Sequence, residues 1–270
     1  MLGLVNVIAL QAFAREARGA LTVSFLDVGQ GDAIFIESPT GRQVLIDGGP
    51  NREVLRELAR VMPWYDRSID VVIATHPDAD HITGLIDVLQ RYHVSLIVES
   101  GVSSDTPQAE SMLASVADEG AEHLYARRGQ IIDIGGGAFI EILFPDRDPS
   151  GFETNTASVV MRIVYGETAF MLTGDSPDEI ERYLVRLDGE ELHADVLKAG
   201  HHGSRTSSSL LFVGMVEPTY AVYSRGCDNS YGHPHSEVQE TFGRLGVETL
   251  DTCDDGTIVF VSDGTAVVRK

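Results

Sequence analysis

The sequence predicts an α/β protein of the α+β kind, with two sheets packed back to back and helices on their outer faces. Three observations lead there. Strand patterns followed by helix patterns occur in the first half of the 270 residues and again in the second. Apolar residues make up 43% of the chain and glycine supplies 27 positions, which suits a loop-rich enzyme with an ample core rather than a disordered chain. Carboxylates and imidazoles gather immediately after apolar runs, where strands end.

The first residues, Met1 to Ala14, are apolar and precede Arg15, Glu16 and Arg18. With no basic region ahead of the apolar run, the pattern predicts a short amphipathic helix. Residues 1–20 then form an N-terminal extension to a domain over 21–270, in a cytoplasmic protein. A truncated or atypical signal peptide is the alternative, and it would make the protein exported. No transmembrane span is present. Leu21–Leu26, Ala33–Glu37 and Gln43–Ile46 carry strand formers separated by turn signals, an antiparallel meander. Gly29 and Gly31, between Asp27 and Asp32, suggest backbone packed closely against a polar site. Apolar spacing predicts helices over Arg52–Val61, Leu85–Tyr92 and Gln108–Glu119, with strands at Ile69–Ala74 and Val94–Val98. The second half supplies strands at Ile131–Ile134, Phe139–Leu143, Ser158–Val164, Thr168–Leu172, Asp195–Lys198, Tyr220–Ser224 and Ile258–Val261. Helices are predicted over Asp178–Leu187 and from about Ser207.

The chemistry concentrates at His76-Pro-Asp-Ala-Asp-His81, directly after the apolar run ending at Ala74. Two imidazoles and two carboxylates within six residues of a short loop converge on whatever sits at the strand end, and a cation stabilises them there most simply. Further along, Asp175 ends the strand at Leu172, His201 and His202 follow another strand end, and Asn229, His233 and His235 share a glycine-proline turn. Each member alone is explicable as a turn or surface residue. Together they are hard to explain as packing. Cys227 and Cys253 make no disulfide framework for a chain of this size, though they leave room for one bridge.

The net charge of −21, with only Lys198 and Lys270 as lysines among 20 basic residues, repels polyanions at long range. It gives no support to a broad non-specific grip on nucleic acid.

The motifs Asp27-Val-Gly-Gln-Gly-Asp32, Asp47-Gly-Gly49, His76 to Gly84, Asn155 to Ser158, Thr173-Gly-Asp175, Leu197 to Ser204 and Asn229 to Pro234 occur in one order over residues 20 to 262. In this the chain resembles metallo-β-lactamase-fold hydrolases, and within them the ComEC/Rec2-type branch, which includes domains of DNA-uptake channels and free-standing hydrolases. The resemblance implies an αββα sandwich of two mixed sheets and a two-metal site, with Zn or Mn as the two divalent ions. The family's His-x-His-x-Asp-His motif stands here as His76, Asp78, Asp80 and His81, with Asp78 in place of the second histidine. Carried over, His76 and Asp78 hold one metal, Asp80 and His81 the other, and Asp175 bridges them. One of His201 and His202 completes the ligand set of the second metal; His202 is favoured, with His201 turned toward substrate. The third histidine motif of the wider superfamily has no counterpart, and Asn155 and Ser158 lie roughly where it belongs.

Such a site supports hydrolysis by an activated water. Asp80 can orient the nucleophile, and His201 and His233 can contact a phosphate or protonate a leaving oxygen. Asn155, Ser158, Lys198 and Asn229 are the candidate substrate contacts, although Lys198 has an equal claim to be a snorkelling strand residue. The expected activity is hydrolysis of a phosphoester by a phosphodiesterase or nuclease, with nucleic acid among the candidate substrates. A DNA-uptake or binding accessory with a weak metal site, and a phosphocholine-type esterase, are the alternatives. The sequence leaves the oligomeric state open.

Overall fold

The computed structural model describes residues 19–270 and the strand Val7–Ala9. In chain order the strands of the first half are β1 (Val7–Ala9), β2 (Leu21–Phe25), β3 (Ile34–Glu37), β4 (Gln43–Ile46), β5 (Ser68–Ala74), β6 (His93–Glu99) and β7 (Glu122–Tyr125). Those of the second half are β8 (Ile131–Gly135), β9 (Ala138–Phe144), β10 (Val160–Tyr165), β11 (Thr168–Leu172), β12 (Val196–Lys198), β13 (Tyr220–Tyr223), β14 (Glu248–Asp251), β15 (Ile258–Ser262) and β16 (Val267–Arg269). The helices are α1 (Glu53–Val61), α2 (Ala79–Leu89), α3 (Pro107–Glu119), α4 (Asp178–Asp188), α5 (Leu210–Val216), α6 (Ser236–Leu245) and α7 (Thr252–Asp255).

These strands form two mixed sheets, ordered β1-β8-β9-β10-β11-β12-β13-β14 and β16-β15-β2-β3-β4-β5-β6-β7. One core lies between them. Leu21, Val23 and Phe25 of β2 and Val71 and Ile73 of β5 meet Ile140, Ile142, Met161 and Phe170 of the other sheet, because alternate residues of a strand face one side. The opposite faces are also apolar. Val72 and Ala74 pack under α1, α2 and α3, and Met171 and Leu197 pack under α4, α5 and α6. The expected sandwich with outer helices is the architecture found.

Local signals explain the element ends. Helix α3 starts at Pro107 behind Thr106, whose side chain accepts from Ala109 N, and it stops at Gly120 in the left-handed conformation. Two expectations need correction. Helix α2 begins at Ala79, not Leu85, so Asp80 and His81 stand in its first turn rather than in a loop. Extended Asp78 carries the capping position, and its carbonyl accepts from His81 N at 3.0 Å and Ile82 N at 3.1 Å. At the start of the chain, Val7–Ala9 pair parallel with β8 as an edge strand, where a helix is expected. The β-branched Val7 and Ile8 suit a strand, and the sheet edge offers unpaired backbone groups. The remainder of the helix expected over residues 1–14 lies outside the described residues. Strands β7, β14 and β16 have no counterpart in the sequence reading, since half-exposed edge strands show no regular alternation, and helices α6 and α7 have none either.

Cys227 and Cys253 are joined by a disulfide, with Cα atoms 5.0 Å apart. The bridge ties the loop after β13 to the segment after β14.

Candidate metal centre

The centre forms where the carboxyl ends of β4 and β5 in one sheet meet those of β11, β12 and β13 in the other. Parallel pairing of β4 with β5, and of β11, β12 and β13 in turn, brings these ends to one rim. Val159 N donates to Thr75 O at 2.9 Å and joins the two sheets there. Glycine allows the loops to close. A Cβ on Gly31, at φ 128°, would lie 2.0 Å from Asp80 O, and one on Gly84 would lie 1.9 Å from Gly48 O. Gly29 meets nothing and serves only its turn.

Three buried histidines converge on one oxygen. Nε2 of His81 and of His202 lie 3.4 Å and 3.3 Å from Asp175 Oδ2, and His76 Nε2 lies 4.0 Å from it. Each ring is held by its other nitrogen. Thr75 Oγ1 donates its single proton to Asp47 Oδ2 at 2.7 Å, so it accepts from His76 Nδ1 at 3.0 Å. His81 Nδ1 lies 2.7 Å from Asp47 Oδ2, and His202 Nδ1 donates to Ser224 O at 2.8 Å. The three Nε2 atoms are buried and take no hydrogen bond among the described residues. Such a second contact fixes tautomer and ring orientation in metal-ligating histidines.

The neighbouring carboxylates complete the donor set. Asp80 Oδ2 lies 3.4 Å from His202 Nε2, and Asp78 Oδ2 lies 3.8 Å from His76 Nε2. His76, His81 and Asp175 form one group able to hold a cation; Asp80, His81 and His202 form another. Two further groups use Asp32, but its Oδ2 is engaged by Lys198 Nζ at 2.6 Å. Nitrogen and oxygen donors in this mixture suit Zn or Mn.

The electrostatics point the same way. Burial opposes charge on His81, yet Asp175 and Asp47 raise it well above the ordinary imidazole range. Asp175 and Asp32 do the same for His202 against its burial. Asp175 is held well below the usual carboxylate range because His202, His81 and Lys198 outweigh its burial. His76 is pushed down to about 3 by burial and by His81 beside it. A site that draws protons onto two buried imidazoles is built to hold positive charge.

The loop carrying His201 and His202 turns sharply. Both residues have positive φ, 47° and 57°, in a short left-handed turn between Gly200 and Gly203. His201 Nε2 thereby also comes within 3.5 Å of Asp175 Oδ2, but its side chain keeps 27% exposure where His202 keeps 1%. The loop is anchored from behind by buried Glu181, which accepts from Ser208 N at 2.5 Å and Ser209 N at 2.8 Å. Burial raises Glu181 to about 7.

The remaining candidates divide. His233 sits over the rim with its ring 5.7 Å from that of His201, and burial with His202 lowers it to about 4. Lys198, expected to touch substrate, is instead wholly buried behind the centre. Its ammonium bonds Gly174 O at 2.9 Å and Asp32 Oδ2 at 2.6 Å, because it leaves β12 on the side of the carboxylates. Ser158 is buried too, and its Oγ accepts from Asp175 N at 3.3 Å, so it positions that carboxylate rather than a substrate. Asn229 staples its own loop: its amide donates to Gly226 O and His233 O and accepts from His233 N. Asn155 Oδ1 is buried and takes no hydrogen bond among the described residues. Asp32 and Asp47, which steer Lys198 and His81, have no role in the sequence reading. Asp47 carries the same signal as Asp175, a carboxylate directly after an apolar strand.

Among the described residues, no helix is long and apolar enough to cross a membrane. The chain is 31% identical to ComE operon protein 3 of Bacillus subtilis (strain 168) over 262 residues, covering 88% of this chain and 32% of that protein. It is 32% identical to Competence protein ComA of Neisseria gonorrhoeae over 249 residues, covering 91% of this chain and 32% of the relative. The chain thus spans about a third of the length of these curated relatives. Among solved structures, the metallo-β-lactamase fold protein YhfI from Bacillus subtilis superposes with a TM-score of 0.61 at 15% identity, covering 90% of this chain and all of that one. The model of the metallo-β-lactamase superfamily matches residues 26–226, and the chain belongs to that superfamily.

Proposed function

We propose that the protein is a metal-dependent phosphodiesterase or nuclease. The observation that carries this reading is the set of three orphaned Nε2 atoms around Asp175 Oδ2. His76, Asp78 and Asp175 would hold one divalent ion, and Asp80, His81 and His202 with Asp175 a second. Ions bound there would supply Lewis acidity toward a phosphoryl oxygen and would acidify a water.

The chain's own residues define where a substrate approaches. Asp78, Asp80 and His201 keep exposures of 38%, 33% and 27%, while the other donors are almost wholly buried. Asp80, at that open face, would orient the attacking water and receive its proton. Burial lowers His201 and His233, so both meet substrate as neutral imidazoles at pH 7. They would hydrogen-bond the phosphoryl or leaving oxygen. Asn155, whose buried Oδ1 takes no hydrogen bond among the described residues, would be a further contact.

A carboxylate at position 78 and the competence relatives favour phosphoesters, nucleic acid among them, over amides. A binding accessory in DNA uptake is the second reading, favoured by the longer relatives of which this chain matches a third. Hydrolysis of a phosphocholine-type ester remains a third. The Cys227–Cys253 bridge supports an oxidising compartment, and so the exported alternative over a cytoplasmic location.

Elemental analysis of protein reconstituted with Mn or Zn, joined to hydrolysis of bis(p-nitrophenyl) phosphate and single-stranded DNA, tests the proposal. About two ions per chain and chelator-sensitive cleavage are expected. No stoichiometric metal would overturn it. Full metal loading with no ester cleaved would transfer the case to the accessory reading.

A further inference from the structure

A cavity of about 230 Å³ adjoins the metal centre without belonging to it, sharing His76 and Pro77 as a wall. It opens at the carboxyl ends of the parallel strands β5, β6 and β7, where open α/β sheets place ligands. Its floor is apolar, with Ala74, Ala109 and Met112 buried. Its rim holds two large apolar side chains in water: Leu113 is 57% exposed and Tyr125 53%.

The lining selects among occupants. Among the described residues, no lysine or arginine lines the cavity itself, Arg127 standing outside it with its guanidinium 5.8 Å from the Tyr125 ring, and Glu99 places a carboxylate inside. Glu99 Oε2 is held by His123 Nε2 at 2.5 Å. A phosphate is therefore disfavoured inside, and belongs at the cation cluster next door. An alkyl chain would fit the floor but bury itself against the carboxylate, which costs free energy without a hydrogen bond. A flat ring bearing an amino group meets both demands, stacking on an aromatic side chain while donating to Glu99. The volume lies below the range of drug-sized pockets and suits a single ring system.

We propose that this cavity is a nucleobase subsite. It takes the base of a nucleotide whose phosphate lies at the metal centre, with Tyr125 as the stacking platform and Glu99 as acceptor for an exocyclic amino group. This rests on the phosphoester reading of the centre.

Calorimetric titration of the Mn-reconstituted protein with deoxyadenosine 5′-phosphate and with deoxyribose 5-phosphate isolates the base, because both ligands carry the same phosphate. The base should tighten binding by about tenfold or more. Tyr125→Ala, which removes the platform, and Ala109→Leu, which fills the floor, should each bring the ratio of the two dissociation constants toward one. Tyr125 is at the surface, so its variant decides the matter if Ala109→Leu melts early. Equal affinities in the wild type, variants that weaken both ligands alike, or butyl phosphate outbinding the nucleotide would each overturn the proposal. Oligonucleotide cleavage is measured separately. Base-dependent binding without cleavage keeps the subsite and removes the phosphodiesterase reading; cleavage without base dependence does the reverse.

Discussion

His81 stands between Asp47 and Asp175, and Asp47 decides which of its nitrogens faces the centre. His81 Nδ1 lies 2.7 Å from Asp47 Oδ2, leaving Nε2 3.4 Å from Asp175 Oδ2. Asp47 holds this position at a φ of 57°, in the left-handed region that non-glycine residues seldom adopt. The same carboxylate takes both donors of Thr75, and through Thr75 it reaches His76. Asp47→Ala should therefore loosen two histidines at once. We expect metal affinity to fall by about 10–100-fold, measured by competition with a chromogenic chelator. Unchanged affinity would show that packing alone orients the rings.

The neighbouring histidines should respond differently to truncation. His202→Ala should lower metal content and abolish hydrolysis, since its buried Nε2 faces both Asp80 and Asp175. His201→Ala should retain the metal and slow turnover by about 10²–10⁴-fold. Metal stoichiometry and phosphodiester turnover of both variants check the assignment. Metal loss in His201→Ala with full loading of His202→Ala would reverse it.

Lys198 is the internal counter-charge of the carboxylates. Burial opposes its charge, but Asp32 and Asp175 raise its pKa. Lys198→Met should destabilise the protein by about 3–5 kcal/mol, because Asp32 is left buried without its partner. Adding Asp32→Asn should recover part of the loss. Urea unfolding of the single and double variants measures both; additive effects would mean that the two residues do not act as a pair.

Glu181 should impose a pH dependence on stability. Its folded pKa is raised from 4.5 to about 7 by burial, so the folded state holds a proton that the unfolded chain has already lost. Stability from this group is full below about pH 4.5 and falls as pH rises toward 7, then levels off. The total is on the order of 3 kcal/mol. Glu181→Gln should flatten this slope between those limits. Parallel slopes for variant and wild type, in unfolding free energy against pH, would refute the assignment.

Reduction of the Cys227–Cys253 bridge should cost about 3.5 kcal/mol, the value expected for a loop of this length. Unfolding in the presence and absence of a thiol reductant reads it directly. Identical midpoints would show that the loop after β13 is ordered without the bridge.

The sequence by itself determined the layers of this protein and the composition of its centre. Alternation along Leu21–Phe25, the apolar run of Ile69–Ala74 and the apolar spacing along Glu53–Val61 are properties of single elements, so they are legible without neighbours. The placement of Asp175, His76 and the His201–His202 pair after apolar runs was legible for the same reason. Tertiary structure alone decided which atoms meet. The convergence of three Nε2 atoms on Asp175 Oδ2 depends on β5 and β11 ending at one rim of two different sheets, and on Nδ1 contacts to Asp47, Thr75 and Ser224. The left-handed turn at His201 and His202, and the burial of Lys198 behind the carboxylates rather than before a substrate, are likewise set by long-range contacts. Local periodicity reports which side of its own strand a residue occupies; the partner across the sheets, and the ring nitrogen turned toward it, are fixed only when distant segments pack.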